Sequence, residues 1–532
     1  MCTRIFNNRT AIMVKKLVGE VLEFDEGLIG DLYEQIKTGL KAYSDGNVDR
    51  DKMSGQIKGL TSVNGYIALP AVMAIAKAQA TTLKPKEKGE SLADALKALR
   101  KTLTISHGFP TTSRNMDWRA PFMTSIYVNE RGVKRQGISG AQIKTFMDDN
   151  CDKKLDPLKW TSKYRSVTSV VIVEQDEHVI KTAATCDGIN EKGLVVNALY
   201  DSWSHYGETD PARKQLSVFR WNQYILDMFE SVDDVVSGFD QKIQLLGDEL
   251  PGPGGSKSAA LLHLSISDAS GNSVIIEADA GYNKDNQLEQ CRYTYYEGPH
   301  TTVLTNQPNY NVQQKIAETS SWQWSKMNQV PSFSLPGGAF PADRFQRALG
   351  YYHTVLAPNS KDQSVAQTRS IANSVVMPIY AAPGGMLTPM ELMGAYKSSY
   401  DDSVPNLPEN ISELPDYLGK INQAAMASNE TAHPMALVST TWWTSISENI
   451  PFEENARYFF LNMATMNNCW IQTGSLPFDD KNASETYSVS MVDNIDGMSD
   501  FTLAEVVNNQ TQGCLNGELI PVATLFLPEG PA

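Results

Sequence analysis

The sequence predicts an α+β protein in which runs of strands are layered with helices. Residues 167–174 are rich in Val and Ile, and residues 261–266 and 273–277 alternate on either side of an Asp-Ala-Ser-Gly-Asn turn, which is typical of a hairpin. Apolar residues recur at helical spacing over 216–239, which predicts one amphipathic helix. Strands in runs with helices between them indicate a layered α/β or α+β architecture.

The chain divides into four predicted regions. Residues 1–13 form a first strand, and residues 106–475 form the main core, with a further helix from Arg344 to His353. Residues 14–105 carry apolar side chains at helical spacing, so we predict an all-helical insertion there. We expect residues 10–13 to pair with residues 108–113, because a turn accepts a folded insertion whose ends stay close. Residues 476–532 form a C-terminal extension of unknown role.

Composition limits the class of protein. The 532 residues are 41% hydrophobic and 20% charged, which is ordinary for a globular chain. The net charge of −15 argues against binding to nucleic acid or to an anionic membrane.

Cysteine usage and hydropathy bear on compartment and cofactors. Six cysteines are scattered without the spacing of a disulfide scaffold or a zinc site, and Cys186 and Cys291 are expected to be small buried apolar residues. No apolar run reaches the roughly 18–20 residues needed to span a bilayer. Basic residues interrupt every candidate signal sequence near the start. We therefore expect a cytoplasmic protein, or a periplasmic or secreted one if a leader has been removed.

Two segments resemble ligand loops but depart from them. Residues 252–258 lack the glycine that a phosphate loop requires before its lysine, and residues 148–152 lack the turn glycine and closing glutamate of a calcium loop. The sequence also contains no Gly-x-Ser-x-Gly and no His-Glu-x-x-His motif. We therefore expect a flexible loop over 252–258 and no calcium loop at 148–152.

Cys2 is the most informative residue, since it directly follows the initiator Met1. Removal of Met1 would leave a thiol and a free α-amine on one residue. An α-amine has a pKa of about 7.7–8.0, so it can accept the proton of the thiol near neutral pH. Position alone is a weak signal, because a cysteine near a terminus is usually incidental.

Six ordered motifs strengthen the case that Cys2 is a nucleophile. They are 1–4 (Met-Cys-Thr-Arg), 113–118 (Ser-Arg-Asn-Met-Asp-Trp), 159–164 (Lys-Trp-Thr-Ser-Lys-Tyr), 187–194 (Asp-Gly-Ile-Asn-Glu-Lys-Gly-Leu), 304–308 (Leu-Thr-Asn-Gln-Pro) and 342–347 (Ala-Asp-Arg-Phe-Gln-Arg). In this order they resemble the choloylglycine hydrolase family, which comprises penicillin V acylases, conjugated bile acid hydrolases and related N-acyl homoserine lactone acylases. The resemblance covers about residues 1–13 and 106–475.

The resemblance implies a four-layer αββα N-terminal-nucleophile hydrolase that cleaves linear, non-peptide amide bonds without a metal or cofactor. Cys2 would be the nucleophile and its amine the base. The other implied roles are Arg114 beside the thiol, Asp117 as acceptor from the amine, the Asn306 side-chain amide and the Tyr200 backbone N–H as oxyanion donors, and Arg344 completing the polar site. Asn190 is interpreted as structural, setting the hairpin that delivers Tyr200.

Substrate preference rests on aromatic residues. Bile acid hydrolases resemble one another in carrying Asn where this chain has Tyr200, whereas penicillin V acylases carry an aromatic residue. With Trp118, Tyr200 would form an aromatic wall suited to an apolar or aromatic acyl group. We therefore expect small-molecule amides such as penicillin V or N-acyl homoserine lactones, with conjugated bile acids as the alternative.

Two other hypotheses stay open at this level. A non-catalytic relative could use the helical insertion to bind a protein partner. A chance resemblance would leave Cys2, Asp117 and Asn306 far apart in space. The family resemblance also implies a homo-oligomer, either a tetramer or a dimer.

Overall fold

The computed structural model describes residues 2–9, 108–118, 123–140, 142–144, 155–176, 179–251, 257–280, 291–298, 301–325, 335–377, 440–463, 468–476, 486–492 and 513–528. The predicted helical insertion over 14–105, the loop at 148–152 and most of the loop at 252–258 lie outside these residues.

The strands are, in chain order, β1 Cys2–Asn7, β2 Thr111–Trp118, β3 Met123–Asn129, β4 Lys134–Gln136, β5 Asp156–Pro157, β6 Lys159–Thr161, β7 Ser166–Asp176, β8 Val179–Asn190, β9 Val195–Tyr200, β10 Lys214–Ser217, β11 Ile243–Leu246, β12 Glu249–Pro251, β13 Lys257–Ala259, β14 Leu262–Ser267, β15 Ser273–Asp279, β16 Arg292–Glu297, β17 Val303–Thr305, β18 Thr440–Glu448, β19 Arg457–Asn462, β20 Asn468–Gln472, β21 Thr486–Val492, β22 Gly513–Cys514 and β23 Ile520–Val522. The α-helices are α1 Val218–Met228, α2 Val232–Gly238, α3 Tyr310–Ser325, α4 Pro341–Thr354 and α5 Lys361–Asn373. Three short 3-10 helices cover Phe452–Glu454, Thr473–Ser475 and Asn516–Glu518.

Two large sheets organise the described part of the chain. The seven-stranded sheet has the order β17-β1-β2-β18-β19-β20-β22. The nine-stranded sheet has the order β16-β15-β14-β9-β8-β7-β3-β21-β23. The first strand lies inside its sheet, paired antiparallel with β17 on one side and β2 on the other, and every residue of β1 is buried.

An apolar core joins the two sheets. It combines Ile5 and Phe460 of the seven-stranded sheet with Val167 and Leu199 of the nine-stranded sheet, and α4 and α5 add to it through residues such as Phe345. A second core packs α1 and α2 against the nine-stranded sheet. The nucleophile candidate therefore belongs to a strand that is enclosed on both edges and packed on its faces.

The strand predictions for 167–174 and for the hairpin agree with the structure, whereas the first strand, predicted over 1–13, ends at Asn7. Residues 167–174 lie within β7, and β14 and β15 form the expected hairpin, in which Ser267 pairs with Ser273. Asp268 closes the turn by accepting the N–H groups of Ser270 and Asn272 at 2.9 and 3.2 Å. The predicted helix from Arg344 to His353 lies within α4.

The prediction of one helix over 216–239 is wrong. Leu216 belongs to strand β10, and two helices, α1 and α2, follow it. The second helix begins after Ser231, whose side chain accepts the N–H of Asp234 at 3.1 Å. A serine that caps a helix in this way starts a new element, and the continuous apolar spacing had concealed that start.

The structure also corrects the pairing expected around the insertion. β1 and β2 do pair, but Asn7 lies opposite Thr111 and Ile5 opposite Ser113. Residues 111–113 therefore pair with residues 5–7 and not with 10–13, and residues 10–13 themselves lie outside the described residues.

Strands from the C-terminal region join both large sheets. β21 pairs with β3 and β23, and β22 pairs in parallel with β20. Among the described residues, no helix combines the length and the apolar character needed to cross a membrane.

Candidate active site

Cys2 lies at the start of β1 and is 3% exposed. The register places it opposite Met116, whose sulfur is 4.0 Å from the cysteine sulfur. The backbone nitrogen of Cys2 donates a hydrogen bond to Oδ1 of Asn306, a residue 304 positions away in the chain. The two edges of β1 thus bring residues of distant motifs to one cysteine.

The chemical identity of this nitrogen depends on the preceding residue. It is a peptide nitrogen while Met1 is attached and becomes an α-amine when Met1 is removed. Either form has a hydrogen to donate, so the Asn306 carboxamide oxygen is placed to orient it.

Arg114 contacts the sulfur directly. Its Nη2 lies 3.5 Å from Cys2 Sγ and donates to the Ala198 carbonyl at 3.0 Å, and its Nη1 pairs with Asp187 at 3.2 Å. Burial opposes the charged form of Arg114, but the neighbouring thiols and carboxylates outweigh burial and raise the pKa of its guanidinium. A permanent positive charge therefore stands beside the sulfur, where it attracts a thiolate.

Asp187 is a further site residue. It lies at the start of the 187–194 motif, but no role could be predicted for it from the sequence. Besides Arg114, it accepts a hydrogen bond from the Tyr458 hydroxyl, which lies 2.5 Å from Ser169 Oγ. Burial raises the pKa of Asp187, and the charge of Arg114 opposes that rise. Asp187 thus holds the guanidinium through Nη1, the nitrogen that does not contact the sulfur.

Asn306 follows β17 and connects three site residues. Its Oδ1 accepts from Cys2 N and from Arg344 Nη2 at 3.1 Å, whereas its Nδ2 donates to the Tyr200 carbonyl at 2.7 Å. The expected oxyanion donor is therefore already bonded through one hydrogen, and the amide carries a second.

The Tyr200 N–H faces the same region. Tyr200 pairs with Leu262, and the next ladder bond runs from Asp201 N to the Leu261 carbonyl. Because hydrogen-bonded and non-bonded pairs alternate in antiparallel sheets, the backbone groups of Tyr200 point away from β14. The carbonyl of Tyr200 meets Asn306, so its N–H lies on the Asn306 side of the strand.

Arg344 is fully buried and binds four groups of the site. Its Nη1 contacts the Cys2 carbonyl at 3.2 Å, Thr3 Oγ1 at 2.7 Å and Asp117 Oδ2 at 3.3 Å, while Nη2 contacts Asn306. Asp117 also accepts from Thr441 Oγ1 at 2.6 Å. Burial raises the pKa of Asp117, and Arg344 is the main charge that opposes the rise.

An apolar cleft opens at the sulfur. Its lining is mostly aromatic, aliphatic and sulfur-containing, with three polar side chains from Arg114, Asp117 and Thr185. The other lining residues are Cys2, Met116, Trp118, Val171, Ala184, Cys186, Ala198, Tyr200, Phe219, Leu250 and Leu262. The rings of Trp118 and Tyr200 meet edge to face with centroids 5.8 Å apart. Burial raises the pKa of the second thiol, Cys186, to about 12, which favours its neutral form.

Asn190 forms the turn between β8 and β9. Its Oδ1 accepts the N–H groups of Lys192 and Leu194 at 3.0 and 3.2 Å. Gly193 in this turn has φ +81°, and a Cβ there would come within 2.8 Å of the Ile450 backbone, so only glycine fits. These contacts support the interpretation of Asn190 as a residue that shapes the hairpin ending at Tyr200.

All the predicted site residues thus converge on one region. A sequence profile of the choloylglycine hydrolase family, described as linear amide C–N hydrolases, matches residues 102–384, which is more than half of the chain. The chain belongs to this family. This choloylglycine hydrolase is therefore a hydrolase of carbon–nitrogen bonds other than peptide bonds, in linear amides.

Three individual proteins are similar to this chain. The chain is 28% identical over 379 residues to a penicillin V acylase of Pectobacterium atrosepticum, a match that covers 71% of this chain and 80% of the relative. The solved penicillin V acylase from Agrobacterium tumefaciens has the same fold, with a TM-score of 0.52 at 22% identity over 79% of this chain and 96% of that chain. A conjugated bile acid hydrolase variant from Clostridium perfringens matches with a TM-score of 0.47 at 18% identity over 72% of this chain and 94% of its own.

The hypothesis of a chance resemblance is wrong, because the family matches and Cys2 contacts Asn306. Membership of this hydrolase family also makes the chain an enzyme, in contrast to the hypothesis of a non-catalytic relative.

Proposed function

We propose that this choloylglycine hydrolase is an acylase whose nucleophile is the Cys2 thiol, exposed as an N-terminal residue once the preceding residue has been removed. One observation carries the proposal. The sulfur and the nitrogen of Cys2 each have a dedicated partner, Arg114 for the sulfur and Asn306 for the nitrogen.

The reaction would proceed in two halves. The thiol passes its proton to the α-amine, and the thiolate attacks the amide carbonyl to form a C–S bond and an oxyanion. The ammonium then protonates the leaving amine as the C–N bond breaks. Water attacks the resulting thioester with the amine again as base, releasing the carboxylic acid and restoring the thiol.

Two groups support the oxyanion in this proposal. The second hydrogen of Asn306 Nδ2 and the N–H of Tyr200 would each contribute about 3–4 kcal/mol to transition-state stabilisation. Arg344 binds the oxygen of the same carboxamide at 3.1 Å, which polarises the amide and strengthens it as a donor. Asp117 would hold Arg344 in place in addition to its expected bond with the amine.

The acyl group would occupy the apolar cleft. Its enclosed free space is about 40 Å³, enough for only a few water molecules, so an acyl chain would have to displace lining side chains. In this proposal the Trp118 and Tyr200 rings, now in edge-to-face contact, would move apart and flank an apolar or aromatic acyl group. Penicillin V is the first substrate to test, since a relative bears that activity in its name, and N-acyl homoserine lactones come second.

Three further proposals concern the layers of the fold, the helical insertion and the oligomeric state. We propose a four-layer αββα arrangement, supported by helices that pack against each of the two sheets. We propose that residues 14–105 form a separate helical unit, supported by the adjacency of Asn7 and Thr111 at its two ends. By family resemblance we also propose a homo-oligomer, which light scattering in solution would test.

Intact mass spectrometry combined with turnover tests the nucleophile. We expect a mass that begins at Cys2, one adduct of a thiol-reactive β-lactone on that residue, and hydrolysis of penicillin V that Cys2→Ala abolishes. Cys514→Ser is the matched control, because Cys514 is a free, exposed thiol on β22, at the opposite edge of the seven-stranded sheet from β17 and β1, and does not line the cleft. Full activity in Cys2→Ala, or an adduct that disappears only in Cys514→Ser, would contradict the proposal.

A further inference from the structure

Three ionisable residues meet inside the nine-stranded sheet, away from the sulfur. Asp201 directly follows β9, His263 lies on β14 and Glu277 lies on β15. Leu264 pairs with Ile276, so the preceding His263 is the cross-strand neighbour of Glu277. All three side chains are buried, and their ligand atoms lie within 4.8 Å of one another.

The imidazole of His263 makes no hydrogen bond. It is completely buried, and neither ring nitrogen has a partner among the described residues. Nδ1 lies 3.5 Å from Glu277 Oε1 and 3.9 Å from Asp201 Oδ2. These separations are too long for good hydrogen bonds. Buried polar groups are almost always satisfied, so a ring directed at two carboxylates without bonding to them requires an explanation.

The carboxylates lack a matching cation in the described part of the chain. No arginine or lysine there forms an ion pair with Asp201 or Glu277; their ion-pair contacts are with His263. Instead, neutral donors orient them. Asp201 accepts from Trp203 N–H at 3.1 Å and from the Ser204 hydroxyl at 2.8 Å, and Glu277 accepts from Tyr310 N–H at 2.7 Å. Such outer hydrogen bonds are the usual means of fixing metal ligands.

We propose that Asp201, His263 and Glu277 bind one divalent transition-metal ion, with zinc the best match. One imidazole nitrogen and two carboxylates suit zinc better than calcium or magnesium, which prefer oxygen ligands alone. Two ligands at about 2.0–2.2 Å from a tetrahedral zinc stand about 3.3–3.6 Å apart. The Nδ1 separations of 3.5 and 3.9 Å are close to that spacing. Water would complete the coordination.

The ion has a structural role in this proposal. Asp201 is the residue after Tyr200, and Glu277 holds the N–H of Tyr310, the first residue of the helix that follows the Asn306 turn. An ion at this point would connect the two segments that carry the proposed oxyanion donors. It would not touch the substrate, and its existence does not depend on the identity of the nucleophile.

Metal analysis of the purified full-length protein provides the test. We expect close to one zinc per chain, a lower unfolding temperature after removal of metal with dipicolinate, and recovery of that temperature when zinc alone is added back. X-ray absorption spectroscopy at the zinc edge should show one imidazole nitrogen ligand at about 2.0 Å. His263→Gln should remove the zinc and its thermal effect. Glu277→Gln should weaken zinc binding at least tenfold, and it serves as the second variant if His263→Gln does not fold.

The control is His353→Gln, which alters an exposed histidine on α4 and should leave zinc content unchanged. Protein that contains no metal and does not change its unfolding temperature on addition of zinc would overturn the proposal. So would zinc that persists in both His263→Gln and Glu277→Gln. The first result would leave the cluster as a metal-free group of buried polar side chains, and the second would place the zinc elsewhere.

Discussion

Replacing Arg344 with Met should destabilise this hydrolase by an amount that grows with pH. Arg344 Nη1 lies 3.3 Å from Asp117 Oδ2, and both side chains are fully buried. Removing one partner of a buried ion pair leaves an uncompensated charge and costs about 3–5 kcal/mol of unfolding free energy. Methionine fills a similar volume, so the charge is the main quantity that changes.

The direction of the pH effect follows from Asp117. Burial already raises its pKa above the ordinary value of 3.8, with Arg344 opposing the rise. The folded state therefore binds a proton more readily than the unfolded state, and stability falls as pH rises from about 3.8 towards the folded pKa. Without Arg344 the folded pKa rises further, so the loss extends to more neutral pH. We expect a larger loss at pH 8 than at pH 5.

Urea unfolding at the two pH values measures this effect. Adding Asp117→Asn to Arg344→Met should recover a large part of the loss at pH 8, because the buried charge is then gone. Arg347→Met is the control on the same helix, since Arg347 binds the carbonyls of Ser374 and Gly338 at 2.7 and 3.1 Å. A loss from Arg344→Met that is equal at both pH values, or a double variant no more stable than the single one, would refute the reasoning.

Three further outcomes are expected. Asn306→Ala should lower kcat for penicillin V by about 10²–10³-fold in steady-state assays, and an unchanged kcat would remove the carboxamide from the proposed mechanism. Tyr200→Asn should shift the ratio of kcat/KM values towards glycine-conjugated bile acids over penicillin V, and a constant ratio would show that Tyr200 does not select the acyl group. Tyr458→Phe should cost about 1–3 kcal/mol in denaturant unfolding, because it removes a hydroxyl that donates to buried Asp187, and a loss below about 0.5 kcal/mol would show that other donors suffice.

The sequence was most informative where a short motif defines both the element and the chemistry. The hairpin around Asp268 was predictable because Asp and Gly define its turn. Cys2, Arg114 and Asn306 could be predicted to meet only through the ordered family motifs, since β1 obtains its neighbours from strands far away in the chain.

Other features depend on tertiary partners that local pattern does not specify. Asp187 was visible in a motif, but Tyr458, which donates to it, lies 271 residues further along. His263, Asp201 and Glu277 have no ligand spacing in sequence and become neighbours only through strand register. The break between α1 and α2 was detectable in principle, since Ser231 stands three residues before Asp234 in the manner of a helix cap.

The position of β1 between two partners has a consequence for the order of events during synthesis. One of those partners, β17, is translated only after some three hundred residues, and at about 5–20 residues per second this takes roughly 15–60 s. Until then β1 lacks its β17 partner, so one edge of this strand is free. If Cys2 is exposed by removal of the preceding residue, as we propose, the peptidase could therefore act on the ribosome-bound chain, before completion of the sheet restricts its access.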